Sequence, residues 1–273
     1  MAASAVSNKQ GLVTFGSLIP GIVSKLVRLP SVVNAIKSAL HVSDDDYLSL
    51  GWKLEENARL YPDRPAILFE NKSLTHKEFN DAVNRHCHYF LSMGVKKGEP
   101  VVVLLENRPE FLMVAGALAK IGAISSLINT NQRDRVLLHS ISLTKGLRFI
   151  IGEELIDAFE AVKPDLKLGE EETFYFVPDS GRMKTPQGYI NLTEAVAGMP
   201  IENPSTTGTI QAKDPICYIF TSGTTGMPKA AIMGNRRWVA AMFGLGRLLM
   251  NMKPDDVLYC PLPLFHTTGF CVG

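Results

Sequence analysis

The residues best suited to chemistry stand together between positions 216 and 229. An apolar run, Ile216–Phe220, leads into a segment of hydroxyl residues, glycines and a closing lysine: Thr221, Ser222, Gly223, Thr224, Thr225, Gly226 and Lys229. Glycine permits positive φ and lets backbone N–H groups approach an anion closely. Hydroxyl groups donate hydrogen bonds without adding negative charge, and lysine supplies a cation. The segment therefore predicts a polyphosphate-binding loop, and the alternative is a glycine-rich β-turn with solvent-facing hydroxyls.

This loop differs from the two common nucleotide-binding patterns. A Walker loop needs lysine directly after its last glycine, whereas Met227 and Pro228 separate Gly226 from Lys229. Gly244-Leu245-Gly246 lacks the third glycine of a dinucleotide fingerprint and stands inside a predicted helix, so core packing explains it better.

Other polar candidates are weaker. His86 and His88 are two residues apart, so on a helix they point to different faces and cannot share a metal. His41, His76 and His139 stand alone and receive no role. Asn129 and Asn131 follow a predicted parallel strand, at the edge where α/β proteins bind ligands, but are interpreted first as turn residues.

The elements that must position these residues alternate between short apolar runs and amphipathic segments. Strands are predicted at 66–70, 101–105, 123–128, 147–151, 174–177, 216–220, 230–233 and 257–260. Helices are predicted at 48–61, 75–93, 110–121, 133–143, 157–162, 192–197 and 236–250. The pattern predicts an α/β fold with mostly parallel sheets flanked by helices. We expect a first lobe over 48–205, a linker near 198–211, and an incomplete second lobe over 206–273.

Composition excludes several classes of protein. The 273 residues are 46% hydrophobic and 20% charged, which is unlike a disordered chain. A net charge of +1 gives no reason to expect nucleic acid as a partner. The four scattered cysteines show no paired spacing, so we expect reduced thiols in a cytoplasmic protein.

Residues 1–43 form a basic leader with four Lys or Arg and no Asp or Glu. Apolar residues from Leu12 to Leu29 recur at spacings of three and four, as on one face of an amphipathic helix. The uncharged run, 10–24, is too short to cross a bilayer. Peripheral contact with the inner face of an anionic membrane and packing on the protein's own body are equally consistent with the pattern, and a targeting peptide is a weaker alternative.

The motifs resemble those of the adenylate-forming superfamily, which includes acyl-CoA synthetases, luciferases and peptide-synthetase adenylation domains. The string Tyr-x-x-Thr-Ser-Gly-Thr-Thr-Gly-x-Pro-Lys at 218–229 resembles its phosphate-binding loop, and 261–269 (PLPLFHTTG) resembles its aromatic/histidine motif. Residues 74–79 and 119–123 resemble two earlier elements. The strings ENRPEF, LINTN and KPDDVLY, at 106–111, 127–131 and 253–259, are similar to the fatty acid transport protein/very-long-chain acyl-CoA synthetase branch.

The resemblance implies an ATP-dependent ligase for long- or very-long-chain fatty acids. In this family ATP and a carboxylate give an acyl-adenylate and pyrophosphate, with Mg²⁺ bridging the phosphates, and the thiol of CoA then displaces AMP. It implies that 221–226 and Lys229 hold the triphosphate and that His266 lies beside the acyl carboxylate, so Lys229 and His266 are the expected catalytic residues. Without the resemblance, His266 would be interpreted as a core or turn residue.

The resemblance covers 48–273, which is about the first half of a family member. The Tyr-Gly-x-Thr-Glu and Thr-Gly-Asp strings that hold the metal and the ribose in the family do not occur in the sequence. We therefore expect an N-terminal portion of the enzyme that is inactive alone. Two alternatives stay open: a non-catalytic membrane-associated product that takes up or binds fatty acids, and adenylation for an acceptor other than CoA.

Overall fold

A computed structural model describes residues 30, 33, 42–221, 226–253 and 255–272. The amphipathic helix predicted within the leader lies outside these residues. So do Ser222, Gly223, Thr224 and Thr225, the central residues of the predicted phosphate loop. The elements on both sides of that loop are described, and they fix its place in the fold.

One seven-stranded sheet dominates the structure. The described residues contain the strands β1 Pro65–Phe69, β2 Lys72–Thr75, β3 Pro100–Leu104, β4 Ile124–Leu127, β5 Arg148–Gly152, β6 Thr173–Val177, β7 Ile190–Asn191, β8 Pro215–Thr221 and β9 Lys229–Gly234. The large sheet has the order β7-β6-β5-β3-β4-β8-β9, and β1 and β2 form a separate antiparallel ribbon. Every pairing in the large sheet is parallel except β8 with β9. The predicted mostly parallel α/β fold is confirmed.

The helices begin and end close to where the sequence signals place them, except for the helix Thr267–Val272, which was not predicted. They are α1 Leu50–Leu60, α2 His76–Ser92, α3 Pro109–Ile121, α4 Asp134–Thr144, α5 Ile156–Val162, α6 Leu192–Val196, α7 Asn235–Ala241 and α8 Thr267–Val272. Thr75 and Glu78 form the predicted capping box of α2, and Gly122 ends α3 at φ +73°. The helix predicted over 236–250 is α7 followed by a π-helical stretch, Met242–Leu249. Within the described residues, no helix combines the length and apolar character needed to cross a membrane.

Helices cover both faces of the sheet, and the central strand β3 contributes side chains to the core on each face. Its odd-numbered side chains, Val101 and Val103, pack in the core that also contains α2 and α3. Val102 and Leu104 pack in the opposite core, with α4 and α5. Because both faces are buried, a continuous apolar run is the expected sequence for such a strand.

The connections around β3 create a topological switch point at one edge of the sheet. From β3 the chain passes through α3 to β4 on one side, and from β4 it passes through α4 to β5 on the other side of β3. The connections therefore leave β3 and β4 toward opposite faces of the sheet. In parallel α/β sheets such a switch point, at the carboxyl ends of the strands, is where ligands bind.

Several sequence predictions need correction. The strand predicted at 257–260 is wrong: this segment belongs to no strand, and Val257 and Tyr259 are largely exposed. Its apolar composition resembles that of a buried strand, but none of its four residues is buried. The short strands β2 and β7 went unpredicted because they are polar or only two residues long.

The predicted linker is a packed connection rather than a spacer. Residues 205–209 form a 3-10 helix, Thr206 donates its hydroxyl to the Lys120 carbonyl at 3.0 Å, and Ile210 is buried. Strand β8, which follows this connection, joins β4 of the same sheet. The division into lobes at 205/206 stays a prediction.

Candidate functional site

The predicted phosphate loop is the connection of a β-hairpin. Thr221 ends β8, Lys229 begins β9, and the two residues are paired across the antiparallel register. The chain therefore reverses direction between Thr221 and Lys229, at the carboxyl end of β8. Gly226 adopts φ +83° with open space around it, so the backbone conformation rather than a close contact requires glycine there. The side chains of Thr221 and Lys229 are exposed.

The hairpin places both ends of this loop beside the switch point. Strand β8 is parallel to β4, with Leu127 and Ile219 as partners, so both strands end at the same edge. After β4, Asn129 accepts a hydrogen bond from the Asn131 N–H at 2.9 Å, as expected of a turn residue. The loop, the end of β4 and the switch point are therefore neighbours.

His139, to which the sequence alone assigns no role, contacts Pro228 of the phosphate loop. It lies on α4, and its Nε2 is 3.0 Å from the carbonyl oxygen of Pro228. Because a carbonyl only accepts hydrogen bonds, Nε2 must carry the proton. The bond fixes the residue before Lys229 to α4, across 89 positions of sequence, and no local sequence signal announces it.

His266 lies in a second loop that packs at the same edge. The N–H of His266 donates to the Pro263 carbonyl at 3.1 Å, and α8 begins at the next residue. Leu264 and Phe265 are buried in the core cluster that also contains Ile219 at the end of β8, whereas His266 is exposed. The loop is thus anchored by its two apolar residues and leaves the imidazole open to solvent.

The charged residue at the end of a neighbouring strand, Glu153, is bound by groups within the protein. Glu153 follows β5 and is only 8% exposed. Burial would raise the pKa of its carboxyl, but hydrogen bonds from the loop 179–183 outweigh burial and lower the pKa to about 2. A carboxylate held so firmly in its ionised form organises the loop and is unsuited to proton transfer.

The paired histidines of α2 bind separate backbone groups. Nδ1 of His86 is 2.8 Å from the Ala82 carbonyl, and Nε2 of His88 is 2.9 Å from the Glu202 carbonyl. Burial lowers the pKa of His86. The two rings therefore have different backbone partners.

Comparisons with known proteins agree with this architecture. The family model described as "AMP-binding enzyme" matches residues 54–273. The medium/long-chain-fatty-acid–CoA ligase FadD6 of Mycobacterium tuberculosis is 31% identical over 91% of this chain and 39% of its own length. Human long-chain fatty acid transport protein 6 is 32% identical over 81% of this chain and 35% of its own length.

A solved structure shows the same fold. The anthranilate CoA ligase AuaEII in complex with anthranoyl-AMP superposes with a TM-score of 0.76 at 18% identity, over 85% of this chain and 43% of that protein. The chain spans less than half the length of each of these three proteins. The fold is that of the N-terminal domain of adenylate-forming enzymes, and the chain belongs to the AMP-binding enzyme family.

Proposed function

We propose that the protein containing this chain is an ATP-dependent ligase that joins long- or very-long-chain fatty acids to CoA through an acyl-adenylate. The observation that carries the proposal is the antiparallel pairing of Thr221 with Lys229, which brings the two ends of the predicted phosphate loop to the carboxyl edge beside the switch point. Family membership and the fatty-acid ligases and transport proteins among the relatives support the substrate class.

The reaction needs an anion site and a positioned carboxylate. The fatty-acid carboxylate attacks the α-phosphorus of ATP, forming acyl-AMP and releasing pyrophosphate; the CoA thiol then attacks the acyl carbon, forms the thioester, releases AMP and loses its proton. The ammonium of Lys229 and the loop 221–226 bind the triphosphate and offset its charge as the anionic carboxylate approaches. His266 lies beside the carboxylate and orients it.

The family's Mg²⁺ finds no complete ligand set in the part of the chain that the structure describes. No group of three or more His, Cys, Asp or Glu side chains in that part could hold a metal ion. No step of the proposed reaction is therefore assigned to a metal ion held by these residues.

The role of Lys229 is tested by exchange of labelled pyrophosphate into ATP, dependent on added fatty acid, in the longest natural protein that contains this sequence. We expect Lys229→Ala to slow exchange by about a hundredfold, the scale of losing one preorganised charge-stabilising group. Lys72→Ala is the matched control, because Lys72 is also an exposed lysine that begins a strand.

The outcomes separate the alternatives. Loss of exchange in Lys229→Ala with unchanged melting temperature and a fully active control supports the proposal. Equal exchange in both variants contradicts the role of Lys229. A second candidate, fatty-acid uptake or binding without turnover, is favoured by the transport proteins among the relatives. It predicts fatty-acid binding without exchange even in the unmodified protein.

Two further measurements test which acceptor receives the acyl group and where the protein is located. Formation of the CoA thioester, rather than a carrier-protein or oxidised product, supports CoA as acceptor. We propose a cytoplasmic protein with peripheral membrane contact through 1–43. Sedimentation of a protein lacking those residues with anionic vesicles, as efficiently as the intact protein, would contradict that contact.

A further inference from the structure

The side-chain amide of Asn107 joins two loops that are far apart in sequence. Its Nδ2 donates to the Leu262 carbonyl at 2.8 Å, and its Oδ1 accepts from the Leu264 N–H at 2.8 Å. Asn107 follows β3, whereas its partners immediately precede His266. One side chain therefore makes a two-point contact across more than 150 positions of sequence.

The segment that carries Asn107 is itself fixed to the sheet. Before it, the Glu106 N–H donates to the Glu154 carboxylate at 2.9 Å. After it, the buried guanidinium of Arg108 pairs with the same carboxylate at 3.2 Å and donates to the Val177 carbonyl at 2.9 Å. These bonds tie the end of β3 to the ends of β5 and β6. Asn107 thus projects from a rigid platform.

The loop on the other side has few backbone bonds of its own. Pro261 and Pro263 have no N–H to donate, and the residues before them, 257–260, belong to no strand. Its turn is held tightly against α8: a Cβ added at Gly269 would lie 2.2 Å from the Pro263 oxygen. The loop therefore packs closely against α8, and Asn107 connects it to the carboxyl edge of β3.

We propose that Asn107 is a positioning residue, which sets the place of His266 relative to the carboxyl ends of β3 and β4. The inference rests on the proposed function, in which His266 orients the acyl carboxylate. Only a carboxamide satisfies both contacts, because it donates from one atom and accepts at the other. Aspartate would keep the acceptor but face the Leu262 carbonyl with a second oxygen, and alanine would lose both bonds.

The test compares Asn107→Ala and Asn107→Asp with Asn191→Ala in the longest natural protein that contains this sequence. Asn191 is a suitable control because its side chain also accepts from a backbone N–H, that of Glu194 at 3.3 Å, at the far edge of the sheet. In fatty-acid-dependent pyrophosphate exchange, we expect both Asn107 variants to lower kcat on the order of tenfold to a hundredfold, the scale of misplacing a reacting group. The KM for ATP stays within about twofold, because the phosphate loop is held by other contacts.

Hydrogen exchange supplies a readout that does not depend on turnover. The Leu264 amide is the donor to Asn107, so we expect its exchange to accelerate in Asn107→Ala, which has no acceptor, and to stay unchanged in Asn191→Ala. Faster exchange together with reduced kcat supports the inference. Unchanged kcat, or a loss of kcat that the Asn191→Ala control shares, overturns it while leaving the proposed function intact. No fatty-acid-dependent exchange in the unmodified protein would overturn both.

Discussion

The carboxylate of Glu153 offers a sharp test of how the functional edge is held. Its Oε1 accepts from the Ser180 hydroxyl at 2.8 Å and from two backbone N–H groups at 3.0 Å, those of residues 182 and 183. Its Oε2 accepts from the N–H groups of Asp179 at 2.7 Å and Gly181 at 3.2 Å. In Glu153→Gln, only one oxygen remains, and the new NH₂ group faces backbone donors.

The magnitude follows from the donors left without an acceptor. If the glutamine oxygen takes the place of Oε1, the Asp179 and Gly181 N–H groups lose their partner, at about 1–3 kcal/mol for each buried group. Both residues are exposed, so water replaces part of each bond and the lower end of that range applies. We therefore expect Glu153→Gln to lower the free energy of unfolding by about 2 kcal/mol at pH 7.

Acid reduces this difference in a defined pH range. The pKa of Glu153 is about 2 in the folded protein against an ordinary 4.5, so its stabilisation is complete above pH 4.5 and is lost as the pH falls toward 2. Between pH 7 and pH 3.5, protonation of Glu153 lowers the free energy of unfolding of the wild type by about 1 kcal/mol. The glutamine variant has no such loss, because glutamine does not titrate. Comparing the two proteins cancels the titration of every other carboxylate.

Urea unfolding at pH 7 and at pH 3.5 measures both differences. Glu194→Gln is the control, because that exposed carboxylate accepts one side-chain bond, from Asn191 at 2.9 Å, and its loss changes stability by less than about 0.5 kcal/mol. A Glu153→Gln difference that is equal at the two pH values, or no larger than the control at pH 7, would refute this account of the loop.

Three other predictions concern buried or connecting contacts. Lys120 is completely buried and pairs with Glu55 at 3.1 Å, so Lys120→Met should lower the free energy of unfolding by about 3–5 kcal/mol in urea, and a loss below 1 kcal/mol would contradict the contact. Thr75→Ala removes the hydroxyl of the α2 capping box and should destabilise by about 1 kcal/mol in the same assay; an unchanged midpoint would show the cap to be dispensable. His139→Ala removes the bond to Pro228 and should raise the KM for ATP about threefold to tenfold without changing the KM for fatty acid; an effect on fatty acid alone would place His139 elsewhere in the mechanism.

Local sequence signals predicted the elements well because local physics determines them. The apolar run 101–105 identified a strand buried on both faces, and the Thr75–Glu78 box and Gly122 identified the ends of helices. The segment 257–260 was mispredicted as a strand because apolar composition was the only signal available, and composition does not show whether a partner strand exists. Pairing is a property of the whole fold.

The site was only partly predictable for the same reason. The hydroxyl and glycine residues of the phosphate loop are contiguous, so their chemistry is visible in one string. The contacts that hold the site are not contiguous: His139 meets Pro228, and Asn107 meets the backbone on both sides of Pro263. Asn107 follows a parallel strand just as Asn129 does, so the rule that directed attention to Asn129 could have found it as well.

The two chemical loops are tied to elements on opposite faces of the sheet. The phosphate loop is tied to α4, which covers one face of the sheet, through His139. The His266 loop is tied through Asn107 to the segment that leads into α3, on the other face. The connections that separate at the switch point thus each anchor one loop. In the proposed ligase, the separation between the triphosphate and the acyl carboxylate is therefore set by the sheet itself, and weakening either tie should misplace one substrate while leaving the binding of the other intact.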